Sequence, residues 1–316
     1  MATQEGANVG VSAVVGNFDD AQTGVKTLFS DESLREELAQ RGYFLSSANS
    51  INWGRVLPQI VYYISAYCDL LAQGAVTEGE PVNFCVPTGN FGNILSAFYA
   101  KEMGLPIGRL LCASNSNNVL TDFIATGKYD RNRPFYNTVS PSMDILISSN
   151  LERLLYLLSG GDDKLVAGYM KELSDTGCYQ VSEEMRKKIQ SVFVGGFSSE
   201  AETEATIGKM MDEHKYLIDT HTAVAFHVLE QYRKETGDQT KTVVASTASP
   251  FKFCDAVLDA LNVTDKATGT ALLDQLAEVS GMPAPQPLAT LKDKQVRFTS
   301  WTEKEQMRAV VTDFLK

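Results

Sequence analysis

The stretch VNFCVPTGNFGNILSAFYAKEMG, residues 82–104, changes its hydrophobic period in the middle. Val82, Phe84, Val86 and the intervening Cys85 suit a buried strand, whereas Ile94, Leu95, Phe98 and Tyr99 recur at helical spacing and give the second half one apolar face. Between the two lies Thr-Gly-Asn-Phe-Gly-Asn, residues 88–93. Gly89 and Gly92 permit backbone angles closed to other residues and leave no side chain in the way, so successive N–H groups are expected to converge on an anion. The helix start adds its unpaired amides and positive dipole end, which favour a bound phosphate by roughly 0.3–2 kcal/mol. Thr88, Asn90 and Asn93 bring more donors than a plain turn needs. The loop has neither the G-x-G-x-x-G of a dinucleotide fold nor the Lys-Ser/Thr ending of a nucleotide P-loop, so the phosphate is expected to belong to something other than NAD or ATP. A glycine turn that binds nothing is the competing reading of the loop by itself.

Working outward, 316 residues are enough for one large or two ordinary domains, and 44 % hydrophobic with 21 % charged residues describes a soluble globular chain. A formal net charge of -11 argues against a nucleic-acid surface, although a local cluster of backbone donors still outweighs diffuse negative charge for a small anion. The five cysteines, Cys68, Cys85, Cys112, Cys178 and Cys254, form no C-x-x-C pair and read as thiols of a reducing, cytoplasmic compartment. Ile60–Leu71 is too short and too interrupted to span a bilayer, so no membrane partner is expected. His214, His221 and His227 lack metal-ligand spacing with a carboxylate beside them, so no metal is expected.

The remaining pattern alternates. Strands are expected at 9–15, 107–113 and 242–245, and helices from Asp19, at 32–41, 56–72, 118–125 and 221–234. This order predicts a parallel α/β sheet flanked by helices. Residues 151–211 read as mostly helical, with Gly160-Gly161 and Gly195-Gly196 as hinges or subdomain borders. Thr302 and Glu305 fit a capping box for the last helix. Residues 46–55, SSANSINWGR, are too rich in Asn and Ser for a plain linker. Arg55 can meet a phosphate with two parallel bonds, or can be a surface ion pair. Asp144 and Asn150 read as turn-ordering or capping residues and His221 as a buried structural histidine, with site roles as the alternatives.

With SSANSINWGR, VPTGNFGN, TVSPSMDILISSNLERLL, DTHTAVA and ASTASPFKF in this order, the chain resembles threonine synthase, a pyridoxal-phosphate enzyme of the tryptophan-synthase-beta-like, fold-type II class. The resemblance implies conversion of O-phospho-L-homoserine and water to L-threonine and phosphate by gamma-elimination and beta-addition. It implies that Gly89, Asn90, Phe91, Gly92 and Asn93 hold the cofactor phosphate. Thr247, with Ser246 as the second choice, would bond the pyridine nitrogen. Asn49, Ser50, Asn52 and Arg55 would hold the substrate phosphate. It also implies a division into 1–55, the remainder of a smaller domain, and 56–316, a larger cofactor-binding domain with a helical insertion around 150–215.

The family's Pro-Thr-x-x-Phe-Lys-Asp block, whose lysine tethers the cofactor as a Schiff base, and its Ser-Gly-Asp-Thr-Gly block do not occur among these residues. The catalytic residue is therefore not assigned. Lys252, in Pro250-Phe-Lys-Phe253, aligns with a late family block instead, and Ser249 stands where many relatives have histidine. The chain is expected to be a C-terminal portion, incomplete at its N-terminus and inactive alone. The alternatives are a cysteine-synthase-like lyase, or a non-catalytic binder of a phosphorylated ligand.

Overall fold

The computed structural model describes residues 1–16 and 18–315. β1 is Ala13–Val14, β2 Val82–Pro87, β3 Ile107–Ser114, β4 Lys128–Asp130, β5 Cys178–Gln180, β6 Phe193–Phe197, β7 Thr242–Val244 and β8 Trp301–Thr302. Among the described residues the main sheet has the order β6-β3-β2-β7, and its three pairings are all parallel. β2 is buried at all six positions, as a central strand covered on both faces must be. Phe84 and Val86 join Tyr63, Ile94, Leu95 and Phe98 in one cluster, beneath helices Ile60–Ala72 and Gly92–Glu102. Cys85 joins Leu111, Ala113, Val224 and Val228 in another, under helix Thr220–Thr236. The period-2 alternation of the strand thus sorts its side chains between two helical layers. A third cluster, including Ile207, Val257, Leu258 and Leu276, lies among the later helices.

Several sequence expectations change. Gly195 and Gly196 are not a hinge: they lie inside β6, where a Cβ on Gly195 would come 2.9 Å from Thr121 Cα and one on Gly196 2.6 Å from Val228 Cγ1. The glycines let two helices pack directly on the strand. β4 and β5 form an antiparallel pair that the mostly helical reading of residues 151–211 did not include. Thr302 is buried in β8, and the last helix begins at Met307, so the expected capping box is absent there. A capping box is present instead at Ser199 and Glu202. Residues 56–72 divide into a short turn of helix, a 3-10 turn at Leu57–Gln59 and the helix from Ile60, because Pro58 withholds a backbone donor.

The two ends of the chain pack together. β1 pairs with β8, and Arg308 reaches Asp31 at 2.7 Å and Glu37 at 3.2 Å. The sequence division at residue 55 left the carboxyl-terminal strand and helix on the side of the larger unit, whereas their contacts run to the first forty residues.

Candidate functional site

The turn after β2 sits where the sheet delivers it, at the carboxyl end of a central parallel strand and the amino end of helix Gly92–Glu102. Pro87 closes the ladder, and Thr88 N–H makes one further bond to Ala113 O at 2.8 Å. The left-handed residue is Phe91, with φ 63°, and not either glycine. Such a conformation costs a bulky residue on the order of 1–3 kcal/mol. Burial of the ring opposes it: Phe91 is 2 % exposed and its ring centroid is 5.5 Å from that of Phe193. The glycines are needed for space instead of backbone freedom. A Cβ on Gly89 would lie 2.7 Å from Ser142 O, and one on Gly92 would lie 2.5 Å from Ser50 Cβ.

Among the described residues, none of the amides of residues 89–94 has a protein acceptor; the first helical bond is Leu95 N–H to Phe91 O at 3.0 Å. The carbonyl side of the same turn is fully engaged. Ser148 Oγ–H donates to Gly89 O at 2.8 Å, and Asn150 donates to Asn90 O from its backbone at 3.1 Å and from Nδ2 at 2.8 Å. Ser149 Oγ–H donates to the side-chain oxygen of Asn90 at 3.1 Å. A turn that offers several unpaired N–H groups at a helix start, with its oxygens held elsewhere, is a receptor for a compact anion.

Asn93 turns toward a cavity of about 340 Å³ that it lines together with Tyr62, Tyr63, Phe84, Ser246 and Thr247. Tyr63 O–H reaches both the carbonyl and the side chain of Asn93, and burial pushes its phenol well above the usual range, so it serves as a neutral donor. Sequence reasoning did not single out Tyr63; its one signal was a second tyrosine beside Tyr62 on a core helix. Ser246 and Thr247 follow β7 and are exposed toward this space. Ser246 Oγ lies 3.2 Å from Thr222 Oγ, whose own proton goes to Asp219.

Asp219 caps helix Thr220–Thr236, accepting from His221 N–H at 2.9 Å, and its Oδ1 lies 3.1 Å from His221 Nδ1. Burial raises the Asp219 carboxyl, but the bonds from His221 and Thr222 overcome it and hold the group below the ordinary aspartate range. His221 Nε2 accepts from Ser142 N–H at 3.3 Å. The imidazole thus ties the helix start to the residue whose carbonyl overlies Gly89.

The residues from the Asn-rich stretch do not gather at one point. Ser50 is half-buried against Gly92 and accepts from Asn150 Nδ2 at 2.8 Å. Asn49 is exposed, binds Ile51 N–H through its own side chain, and lines a separate cavity with Val25 and Phe29. Asn52 caps the short helix Trp53–Val56 through Gly54 N–H and donates to Ser47 O at 2.9 Å. Arg55 is exposed. Asp144 orders its turn, accepting from Asn115, Asn117 and both donors of Thr138. Lys252 is exposed in the 3-10 turn Pro250–Lys252, which Ser249 caps through Phe251 N–H.

The parallel sheet, the turn of unpaired amides beyond β2 and the hydroxyls beyond β7 define the fold-type II architecture, an α/β scaffold of the tryptophan-synthase-beta-like class. Residues 222–311 match the family described as "Threonine synthase, C-terminal". The chain is 44 % identical to threonine synthase-like 1 of Homo sapiens over 283 residues, covering 89 % of this chain and 37 % of that protein. It is 37 % identical to threonine synthase of Saccharomyces cerevisiae over 276 residues, covering 83 % of this chain and 52 % of the relative. The crystal structure of PLP-bound threonine synthase from Brucella melitensis superposes with a TM-score of 0.80 at 35 % identity, covering 99 % of this chain and 61 % of that one. The chain belongs to the threonine synthase family. It spans between about a third and three-fifths of the length of these relatives.

Proposed function

We propose that this chain carries the cofactor-phosphate and substrate-facing part of a threonine synthase site, acting on O-phospho-L-homoserine and water to give L-threonine and phosphate. The observation that carries the reading is the run of unpaired amides at residues 89–94, at the start of a helix and beside a cavity floored by Thr247. Gly89, Asn90, Phe91, Gly92 and Asn93 would hold the phosphate of pyridoxal 5'-phosphate, and Thr247 or Ser246 would meet its ring nitrogen with a neutral hydroxyl. When bound, the cofactor supplies the electron sink. The chain's own residues bind and orient: Tyr63 fixes Asn93, and Ser50 and Arg55 present donors to the second phosphate. A relative solved with PLP bound supports the cofactor assignment. We further propose that residues 1–55 are the remainder of a smaller domain and that the carboxyl-terminal strand and helix complete it.

A second reading, binding of a phosphorylated ligand without turnover, rests on one specific observation: the described residues that line the cavity holding Asn93 and Thr247 include no lysine. One experiment separates them. The chain is titrated with pyridoxal phosphate and with pyridoxal by equilibrium dialysis, then given O-phosphohomoserine while free phosphate and threonine are measured. Tight, phosphate-dependent cofactor binding with production of threonine, once a Pro-Thr-x-x-Phe-Lys-Asp segment is supplied on a second polypeptide, upholds the first reading. Ligand binding without threonine under every condition upholds the second. Equal affinity for pyridoxal and its phosphate overturns the cofactor assignment.

A further inference from the structure

In a planar trans peptide the C=O of one residue and the N–H of the next point in opposite directions. Whatever holds the carbonyl of Gly89 therefore aims the amide of Asn90, and whatever holds the carbonyl of Asn90 aims the amide of Phe91. Both carbonyls are held by one tripeptide, Ser148-Ser149-Asn150, which precedes helix Leu151–Leu158. Ser149 adds the side chain of Asn90. Asn150 is the pivot. It is fully buried, and its Nδ2 divides between Asn90 O and Ser50 Oγ, both at 2.8 Å. Ser50 Oγ accepts this bond and, among the described residues, its own proton has no acceptor, which leaves it as a donor beside Gly92. Asn150 Oδ1 is buried without a partner. A purely structural residue is ordinarily satisfied at both ends of its amide, so the orphaned oxygen marks a side chain oriented by the demands of Nδ2.

We propose that Ser148, Ser149 and Asn150 form a clasp that turns the Asn90 and Phe91 amides outward to receive a phosphate monoester, with Asn150 as the positioning residue that also sets the Ser50 hydroxyl as a donor. This rests on the reading that the turn takes a phosphate. The clasp withdraws two carbonyl dipoles from the anion's side and replaces them with two amides. It also couples the cradle to residues 46–55, because one side-chain nitrogen serves both.

The test compares the parent chain with Asn150→Asp, which keeps the shape and removes the Nδ2 donor, and with Ser148→Ala. Amide resonances of Asn90 and Phe91 are recorded without ligand, and affinities are measured for pyridoxal phosphate, pyridoxal and inorganic phosphate. Asn150→Asp is expected to displace both resonances and to weaken pyridoxal phosphate and inorganic phosphate by about 10- to 100-fold, with pyridoxal unchanged. Ser148→Ala is expected to act in the same direction by about 3- to 10-fold, and it decides the matter alone where the aspartate variant does not fold. Unmoved resonances, or phosphate affinities equal to the parent's in a folded variant, overturn the clasp. A parent that binds inorganic phosphate but does not prefer pyridoxal phosphate to pyridoxal refutes the cofactor reading and leaves the clasp to be judged on inorganic phosphate. A parent that binds neither phosphate overturns both.

Discussion

Residues 88–93 and residues 46–55 look alike as sequence, each a short polar run holding asparagines between apolar segments. In three dimensions they treat their polar groups in opposite ways. The first gives the carbonyls of Gly89 and Asn90 to a neighbouring tripeptide and, among the described residues, keeps the amides of residues 89–93 unpaired. The second turns its asparagine side chains back onto its own backbone, at Ile51 N–H and Gly54 N–H, and leaves Arg55 exposed. Composition alone therefore does not decide which polar groups are left unpaired; where the carbonyls go does.

That contrast can be broken at several points, beginning with the turn. Phe91→Ala is expected to lose about 3–5 kcal/mol in a urea melt, because the ring that opposes the left-handed backbone leaves a cavity against Phe193. A loss below about 1 kcal/mol would mean the ring is not what holds the turn. Gly89→Ala should cost about 1–3 kcal/mol, since its Cβ meets the fixed carbonyl of Ser142. Gly92→Ala should cost less in stability, because Ser50 is a side chain that can yield, while phosphate affinity falls in both. Equal melts for the two would remove the distinction between backbone and side-chain crowding.

Acid acts on the support of the turn through Asp219, whose neighbour His221 is tied to Ser142. Asp219, bonded to His221 and Thr222, has a folded pKa below its unfolded value. Its contribution to stability is therefore fully present above the unfolded value and is lost as pH falls through the folded one. Asp219→Asn should flatten the acid limb of the stability profile below about pH 4, and an unchanged limb would place that dependence elsewhere. In the polar stretch, Asn52→Ala should remove a cap at about 0.5–1 kcal/mol. Arg55→Ala should change stability by less than about 0.5 kcal/mol and reduce phosphate binding at low salt only. A stability loss from Arg55→Ala as large as that from Gly89→Ala would show that the arginine is structural.

The strand, turn and helix at residues 82–104 were legible because local period and local chemistry agree there. β6 was not, since Gly195-Gly196 has the local signature of a flexible joint, and only the approach of Thr121 and Val228 explains it. The same applies to the functional residues. Gly89 and Gly92 are expected to supply backbone freedom, whereas in the structure they supply clearance. Tyr63 and Asn150 act on the turn from 30 and 60 positions away in sequence, a separation no periodicity reports. The capping box at Ser199 follows a local rule and was legible in principle, whereas Thr302, with the same local signature, is claimed by the sheet.

The pairing of β1 with β8 carries a consequence for biogenesis. Ser300 Oγ–H bonds Val11 O across 289 positions, so on a ribosome the leading segment emerges long before the strand that will hold it has been translated. The central sheet can assemble in the meantime, whereas the leading segment must stay unlatched until the final helix arrives. A nascent chain halted before residue 300 should accordingly display a protease-resistant central sheet and a cleavable stretch around β1, with protection of that stretch acquired last.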